Sequence, residues 1–390
     1  MQKKQAAFDF IDKHQEEMVD FWREVVSIES GPHEKPGIDA VAARFQQFLE
    51  GTGASCRSAE FAEAGNMLIG EIGADRSQQG VLFLGHMDTA IPAGAIKERP
   101  FTIKEGIAYG PGVLDMKGGI VSALYAIKAL NNAGYDSRPI KVLLAGDEEV
   151  LHARSTAPDV FINEAKGHAA AFNVETGFPD NGIVVGRKGV AQFRIEVKGI
   201  AAHAGNDPEN GRNAILAMAH KIIEVQDRST WETDTTYNVG VIQGGTTSTA
   251  VPDYAQVLID VRYMDPDNLP AITARLEKIA AKTHLEGTTG ACKYMHGIKP
   301  MKTTDGVKKL FEVVKQASEE NGFGTPYAKF VGGASDSSYS VIAGVPTVCA
   351  IGVKGGRNHS PEEFAIVDSL FERAKLLIAS VLKLDEQTIS

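Results

Sequence analysis

Side chains able to hold cations and move protons are gathered in five short stretches of this sequence, each closing an apolar run or lying in a glycine-rich loop. VLFLGHMDTA sets His86 and Asp88 two positions apart after a buried strand, so both can face one side of an extended chain. A histidine ligand needs its second ring nitrogen hydrogen-bonded, and Asp88 can supply that acceptor or bind a metal itself. Standing alone, such a pair reads first as an exposed loop. In YGPGVLDMKGG, Asp115 sits among glycines that let backbone approach closely. A lone Asp ahead of a helix is more often a cap. VLLAGDEEV crowds Asp147, Glu148 and Glu149 at the end of an apolar strand, where like charges are costly unless cations compensate them. A surface acidic turn is the competing reading. If a metal is present, one glutamate can coordinate it while its neighbour takes a proton from water. Glu175 ends the apolar stretch of AAFNVETG, and His359 lies in GGRNHSPEEF ahead of Pro361.

Taken together, two histidines and three or more carboxylates at strand ends form a nitrogen–oxygen donor set. It suits Zn²⁺, Co²⁺ or Mn²⁺ better than Cu⁺ or an iron–sulfur cluster. Other chemistries lack their residues: the sequence has no GxSxG elbow, no GxxxxGK[ST] loop, no HExxH and no strand–GxGxxG–helix fingerprint. GGASDSSYS, around Asp336, carries serines but no closing glycine, and they read as loop hydrogen-bonders. Cys56, Cys292 and Cys349 are far apart and odd in number, so they read as small buried hydrophobes. His14, His33, His152, His168, His220, His284 and His296 have no comparable context and read as solvated or packed. Arg187 and Lys188 divide evenly between a hinge or surface role and substrate contact.

The elements that must position these groups follow from periodicity. A helix is expected over Gln5–Ile28 and a second over Ile38–Leu49, ending before Gly51 and Gly53. Strands at Asn66–Ile72 and Val81–Leu84, a helix at Gly118–Leu130 and a strand at Ile140–Leu144 alternate as in a sheet covered on both faces. Near Gly182 the character changes. Paired strands over Ile183–Val197, a helix from Asn213 to Val225, strands at Tyr237–Ile242 and Ala255–Arg262 and a helix at Leu269–Thr283 make a β–α–β–β–α insert. A helix at Val307–Asn321, a strand at Pro346–Ala350 and a helix at Ser369–Leu384 complete the chain. The expected fold is α/β: a catalytic domain in two parts, 1–182 and 298–390, with a small α+β domain inserted at 183–297.

The 390 residues are long enough for two such cores, and 43% hydrophobic with 23% charged residues is ordinary for a soluble protein. A net charge of −10 disfavours nucleic acid and acidic membrane surfaces as partners. No uninterrupted apolar run approaches the roughly 20 residues that span a bilayer. The N-terminal stretch MQKKQAAFDFIDKHQEEMVDFW carries charges throughout and no apolar signal region, which leads to an expectation of a cytoplasmic protein.

GHMDT, GPGVLDMKGG, GDEE, NVETG and RNHSPEE, in this order and spacing, resemble the M20 metallopeptidase family, and within it glutamate carboxypeptidase-type and aminoacyl-hydrolase members. The resemblance covers nearly the whole chain, including VKGIAAHAG in the insert. It implies two zinc ions per subunit, with Co²⁺ or Mn²⁺ as substitutes. His86 and Glu175 would bind one ion, Glu149 and His359 the other, and Asp115 would bridge them. Asp88 would orient His86, and Glu148 would be the general base. The resemblance further implies a cis Asp115–Met116 bond and a homodimer formed through the insert. His203 of AHAG would reach across that dimer to the partner's active site. Arg262 of LIDVRY would bind a substrate carboxylate, with Lys299 of GIKPM beside it.

Two positions depart from the pattern. Thr249, in STAVP, stands where relatives carry Asn. Lys299 stands near an Arg of glutamate-specific members, and it keeps the charge but not the bidentate fork. The implied substrate is a small peptide or N-acyl amino acid, cut beside a free carboxylate as a carboxypeptidase would. An N-acyl amino acid deacylase or a di- or tripeptidase is the alternative. A catalytically silent metal-bound binding module fits less well, because Glu148 need not coordinate metal.

Overall fold

Phe8, Ile11, Met18, Phe21, Trp22 and Val25 do lie on helical turns at the N-terminus, but in two helices, Gln2–Lys13 and Gln15–Val26, rather than one. His14 makes the break. Its ring Nδ1 takes the Phe10 carbonyl at 2.7 Å, the acceptor a continuing helix would use, and its backbone N–H turns to Ile11 at 3.1 Å instead. The computed structural model describes residues 2–229 and 235–387. The chain divides into two units. One comprises Met1–Gly186, Met301–Val331 and Ser335–Ser390, and the other Arg187–Pro300 with Gly332–Ala334.

The first unit is built on a six-stranded sheet in the order Ser55–Ala59, Gly65–Ile72, Ile140–Gly146, Val81–His86, Ala170–Asn173, Thr347–Val348. Val81–His86, buried at every position, runs parallel to both of its neighbours, so those three strands point their C-terminal ends the same way. Strands buried on both faces read as continuous apolar runs, which is why VLFLG and IKVLLAG were legible. Helices Lys35–Gly51, Gly118–Asn132, Asp305–Glu320 and Val367–Leu384 supply the apolar residues that cover the sheet. Gly119 is required where the start of Gly118–Asn132 meets the end of a strand. A Cβ there would lie 1.9 Å from the Val174 carbonyl oxygen.

A second, small antiparallel sheet matters more for the site than its size suggests. Thr102–Lys104, Ile107–Tyr109, Phe364–Ile366 and Gly355–Gly356 pair in sequence-distant partnership, with Ala108 opposite Ala365 and Ala365 opposite Gly355. This pairing sets the loop of residues 357–363 beside the segment of residues 110–115. The expected strand Pro346–Ala350 shrinks to Thr347–Val348, and the serine-rich stretch expected as loop forms a helix, Ser337–Ile342. No helix among the described residues is long and apolar enough to cross a membrane. Cys349 is buried, Cys56 and Cys292 are half-buried, and all three are outside any disulfide among the described residues.

The second unit is a four-stranded antiparallel sheet in the order Thr236–Gly244, Tyr254–Tyr263, Gly189–Lys198, Thr289–Ile298, packed on helices Ala214–Gln226 and Leu269–Ala281. Alternation places Ala255, Val257, Ile259, Val261 and Tyr263 in its core with Phe193, Met218 and Leu276. The last strand was not expected, so the order is β–α–β–β–α–β. TGACKYMHGI has no apolar alternation because it is an edge strand, exposed or half-exposed along most of its length. Its bounds also differ from 183–297. Residues 183–186 stay with the first unit because Gly182–Arg187 pairs with Tyr327–Val331 and Val184 bridges to Cys349.

Candidate active site

His86 closes the central strand and is buried to 2% exposure. Its Nδ1 lies 3.0 Å from the backbone carbonyl of Asp88, an acceptor only, so that nitrogen carries the proton and Nε2 offers its lone pair. Nε2 faces Asp115 Oδ1 at 3.2 Å and Glu175 Oε1 at 3.7 Å. His359 approaches from the other side. Its Nε2 lies 3.2 Å from Asp115 Oδ2 and 3.3 Å from Glu149 Oε2. Asp115 therefore shows one carboxylate oxygen to each histidine. His86, Asp115 and Glu149 each present a ligand atom within 4.8 Å of the others.

Whether this cluster fits a metal is decided by its own charges. Among the described residues no well-aligned hydrogen-bond donor meets the buried Asp115 Oδ1, an anionic oxygen aimed at a buried imidazole. Burial pushes the Glu149 carboxyl well above its ordinary value, and the charge of Asp115 adds to the rise. Glu148 is pushed the same way by burial, relieved in part by His86, with Asp336 and Glu175 adding to the rise. Asp115 goes down: burial alone would raise it, but the imidazoles of His359 and His86 facing its two oxygens outweigh that. The pocket is short of positive charge, with imidazoles and carboxylates at its wall. Divalent cations fit that deficit and that donor set.

Neighbouring groups fix the ligands. Asp88, fully buried, accepts the backbone N–H of Glu148 at 3.2 Å and of Glu149 at 2.9 Å. Its carboxylate thus aims the Asp147–Val150 turn, and it is chiefly the Asp88 carbonyl that orients His86. The turn answers in kind, because Glu149 Oε1 accepts the Ala90 N–H at 3.0 Å. The Asp115–Met116 peptide is cis. Three residues that sequence reasoning passed over hold the Asp115 segment. Glu363 accepts the N–H groups of Gly112, Leu114 and Asp115 at 3.2, 2.8 and 3.0 Å. Burial, with the Asp115 charge, pushes it up to about 7 against those donors. Asn358 donates to Asp115 Oδ2 at 2.9 Å. Lys117, 1% exposed, donates to the Val25 and Ile28 carbonyls at 2.9 Å each. Glu363 and Asn358 lay within the quoted RNHSPEE stretch, and their charge and amide were the available signal.

All five expected ligands, with Asp88 and Glu148, belong to the first unit, whereas His203, Arg262, Lys299 and Thr249 belong to the second. His203 is exposed, and its Nδ1 accepts the N–H groups of Gly205 and Asn206 at 3.1 Å each. Nε2 must therefore carry the proton and present it outward. The Arg262 guanidinium is gripped bidentately by Asp260 at 2.8 and 3.0 Å. Lys299 is exposed. Thr249 Oγ1 lies 3.2 Å from Thr247 Oγ1.

Residues 82–383 match the signature of peptidase family M20/M25/M40. The chain belongs to this family of hydrolases. It is 27% identical over 365 residues to carboxypeptidase G2 of Pseudomonas sp. strain RS-16, covering 93% of this chain and 87% of that one. It is 25% identical over 316 residues to a succinyl-diaminopimelate desuccinylase of Ehrlichia ruminantium, covering 75% and 79%. The fold matches the di-peptidase Dug1p of Saccharomyces cerevisiae with a TM-score of 0.80 at 14% identity, over 99% of this chain and all of that one.

Proposed function

We propose that this chain is a two-zinc hydrolase that cuts an amide bond beside a free carboxylate, in the manner of a carboxypeptidase. The observation that carries the reading is Asp115, whose two oxygens face two different histidines, with Glu175 flanking one and Glu149 the other. His86 and Glu175 would hold one ion, His359 and Glu149 the second, and Asp115 both. When bound, the pair supplies Lewis acidity to the attacking water and to the scissile carbonyl. Glu148 takes the proton of that water on its carboxylate and returns it to the leaving nitrogen. Its burial beside Glu149 keeps the acceptor in low dielectric and close to the ligands.

His203 serves as the oxyanion donor, supplied by a second copy of the chain. Its fixed Nε2–H tautomer supports that role. A homodimer through the second unit is supported by apolar side chains left in solvent on one helix and one edge strand: Leu216 and Ile223 (62% exposed) with Val241 and Ile242 (56% exposed). Arg262, with Lys299, binds the substrate carboxylate, Asp260 holding the guanidinium ready in the meantime.

Zinc-reconstituted protein assayed on N-acyl amino acids, dipeptides and tripeptides, each paired with its C-terminal amide, tests the reading. Substrates with a free carboxylate should turn over and their amides should not. Equal rates on acid and amide would overturn the carboxylate requirement. The relatives named a desuccinylase and a di-peptidase favour deacylase or di-/tripeptidase action as the second reading. The same panel separates it by which acyl or peptide partner is released fastest.

A further inference from the structure

His152, six residues beyond the strand Ile140–Gly146, is 6% exposed and held on both sides. Its Nδ1 lies 2.9 Å from Asp147 Oδ1 and its Nε2 2.6 Å from Asp336 Oδ1. Both carboxylates are buried at 2% exposure, and among the described residues each keeps a second oxygen with no donor. A neutral imidazole can donate from only one nitrogen, so two unprotonated carboxylates on opposite ring nitrogens call for an imidazolium. Burial alone would discharge the ring, but Asp336 and Asp147 outweigh it and hold His152 well above its ordinary value.

The connections of this trio point to its task. Asp147 immediately precedes Glu148, and the turn that follows closes through Leu151 N–H to Glu148 at 2.7 Å and His152 N–H to Asp147 at 3.0 Å. Leu151 and His152 adopt φ of +57° and +53°, backbone that side-chain-bearing residues rarely take, so something must hold the turn in it. The ring does so by anchoring the turn to Asp336, with Tyr339 and Phe161 packed at 5.7 and 6.3 Å between centroids. Ser155 adds a second donor to Asp147 Oδ1 at 2.9 Å. On the far side, Ser335 accepts a hydrogen bond from Asn173 at 2.8 Å, two residues before Glu175. One clamp thus sets two segments in register: the turn bearing Glu148 and Glu149, and the strand end leading to Glu175.

We propose that His152, gripped as an imidazolium between Asp147 and Asp336, is a positioning residue that fixes the Glu148 carboxylate relative to the ligand cluster. This rests on the reading of Glu148 as the proton acceptor, which Glu148→Gln in the same assays tests separately. His152→Gln leaves two buried carboxylates facing each other across an amide. With zinc content unchanged, kcat should fall about tenfold or more while KM stays within about twofold. Asp336→Asn is the conservative exchange. A neutral His152 can donate to Asp147 and accept from the amide that replaces the Asp336 carboxylate, keeping both ring bonds and the net charge of the trio, so kcat should stay within about threefold of wild type.

Nitrogen-15 spectra of the histidine rings give a measurement independent of whether His152→Gln folds. Zinc-loaded wild type should hold one imidazolium, both nitrogens protonated at pH values where a free imidazole has shed its proton, which Asp336→Asn converts to a neutral tautomer. The proposal is overturned if folded His152→Gln keeps wild-type kcat when zinc-loaded or fails to hold zinc. It is equally overturned if Asp336→Asn falls as far as His152→Gln, or if no such imidazolium is present.

Discussion

At the scale of single residues, neighbours in sequence do different work because their surroundings differ. Glu149 has its Oε2 3.3 Å from His359 and its Oε1 taken by Ala90, whereas Glu148, adjacent and as deeply buried, has no place in the group of mutually close ligand atoms. Asp88 reaches both backbone N–H groups at once, so the divergence of the two glutamates is imposed by one carboxylate. Glu148→Gln keeps the side-chain volume and removes the proton acceptor. Turnover should fall roughly 10²–10⁴-fold while zinc, counted by elemental analysis, stays at the wild-type level. A variant that keeps near-normal kcat would remove Glu148 from the proton path, and one that loses zinc would make it a ligand.

At the scale of elements, the site is assembled from strand ends and from one small sheet. The strand ends were legible: VLFLG and IKVLLAG are buried on both faces, so their apolar runs stop where His86 and the Asp147–Glu149 turn begin. The pairing of Ile107–Tyr109 with Phe364–Ile366 was not, because two three-residue strands some 250 positions apart leave no periodic trace, and that pairing carries His359 to Asp115. Nor could spacing show that Asp336 reaches His152, since the contact joins a short helix to a turn 184 residues away. Convergence of so many groups has a consequence for metal uptake. Burial alone would lower His86, but the Asp115 and Asp88 carboxylates facing its ring hold it above its ordinary value, and burial holds Glu149 above its own. Both groups therefore keep protons in the metal-free protein at pH values where the free side chains have shed them. Zinc must displace those protons, so its affinity should rise with pH. Between about pH 6 and about pH 8, calorimetry in buffers of different ionisation enthalpy should show proton release on binding, larger at the acid end. Buffer-independent heats and flat affinity over that range would contradict the protonated cluster.

At the scale of the whole molecule, the division into two units separates the groups proposed to hold metal and move protons from those proposed to receive the substrate. The proposed ligands and base belong to a unit with its own core, and His203 and Arg262 to a second unit with another. Such a division leaves open a trade between subunits in which neither copy is complete alone. If His203 acts on the partner's substrate, Glu148→Gln and His203→Ala are defects in different halves of one site. Each variant alone should be nearly inactive, with zinc retained. Co-refolded in equal amounts, half of the dimers are mixed, and each mixed dimer restores one site with Glu148 from one copy and His203 from the other. Activity should then recover to about a quarter of wild type, as random pairing of a two-fold dimer requires. If His203 served its own chain, the mixed dimers would hold only defective sites, and the mixture would do no better than the average of its parents.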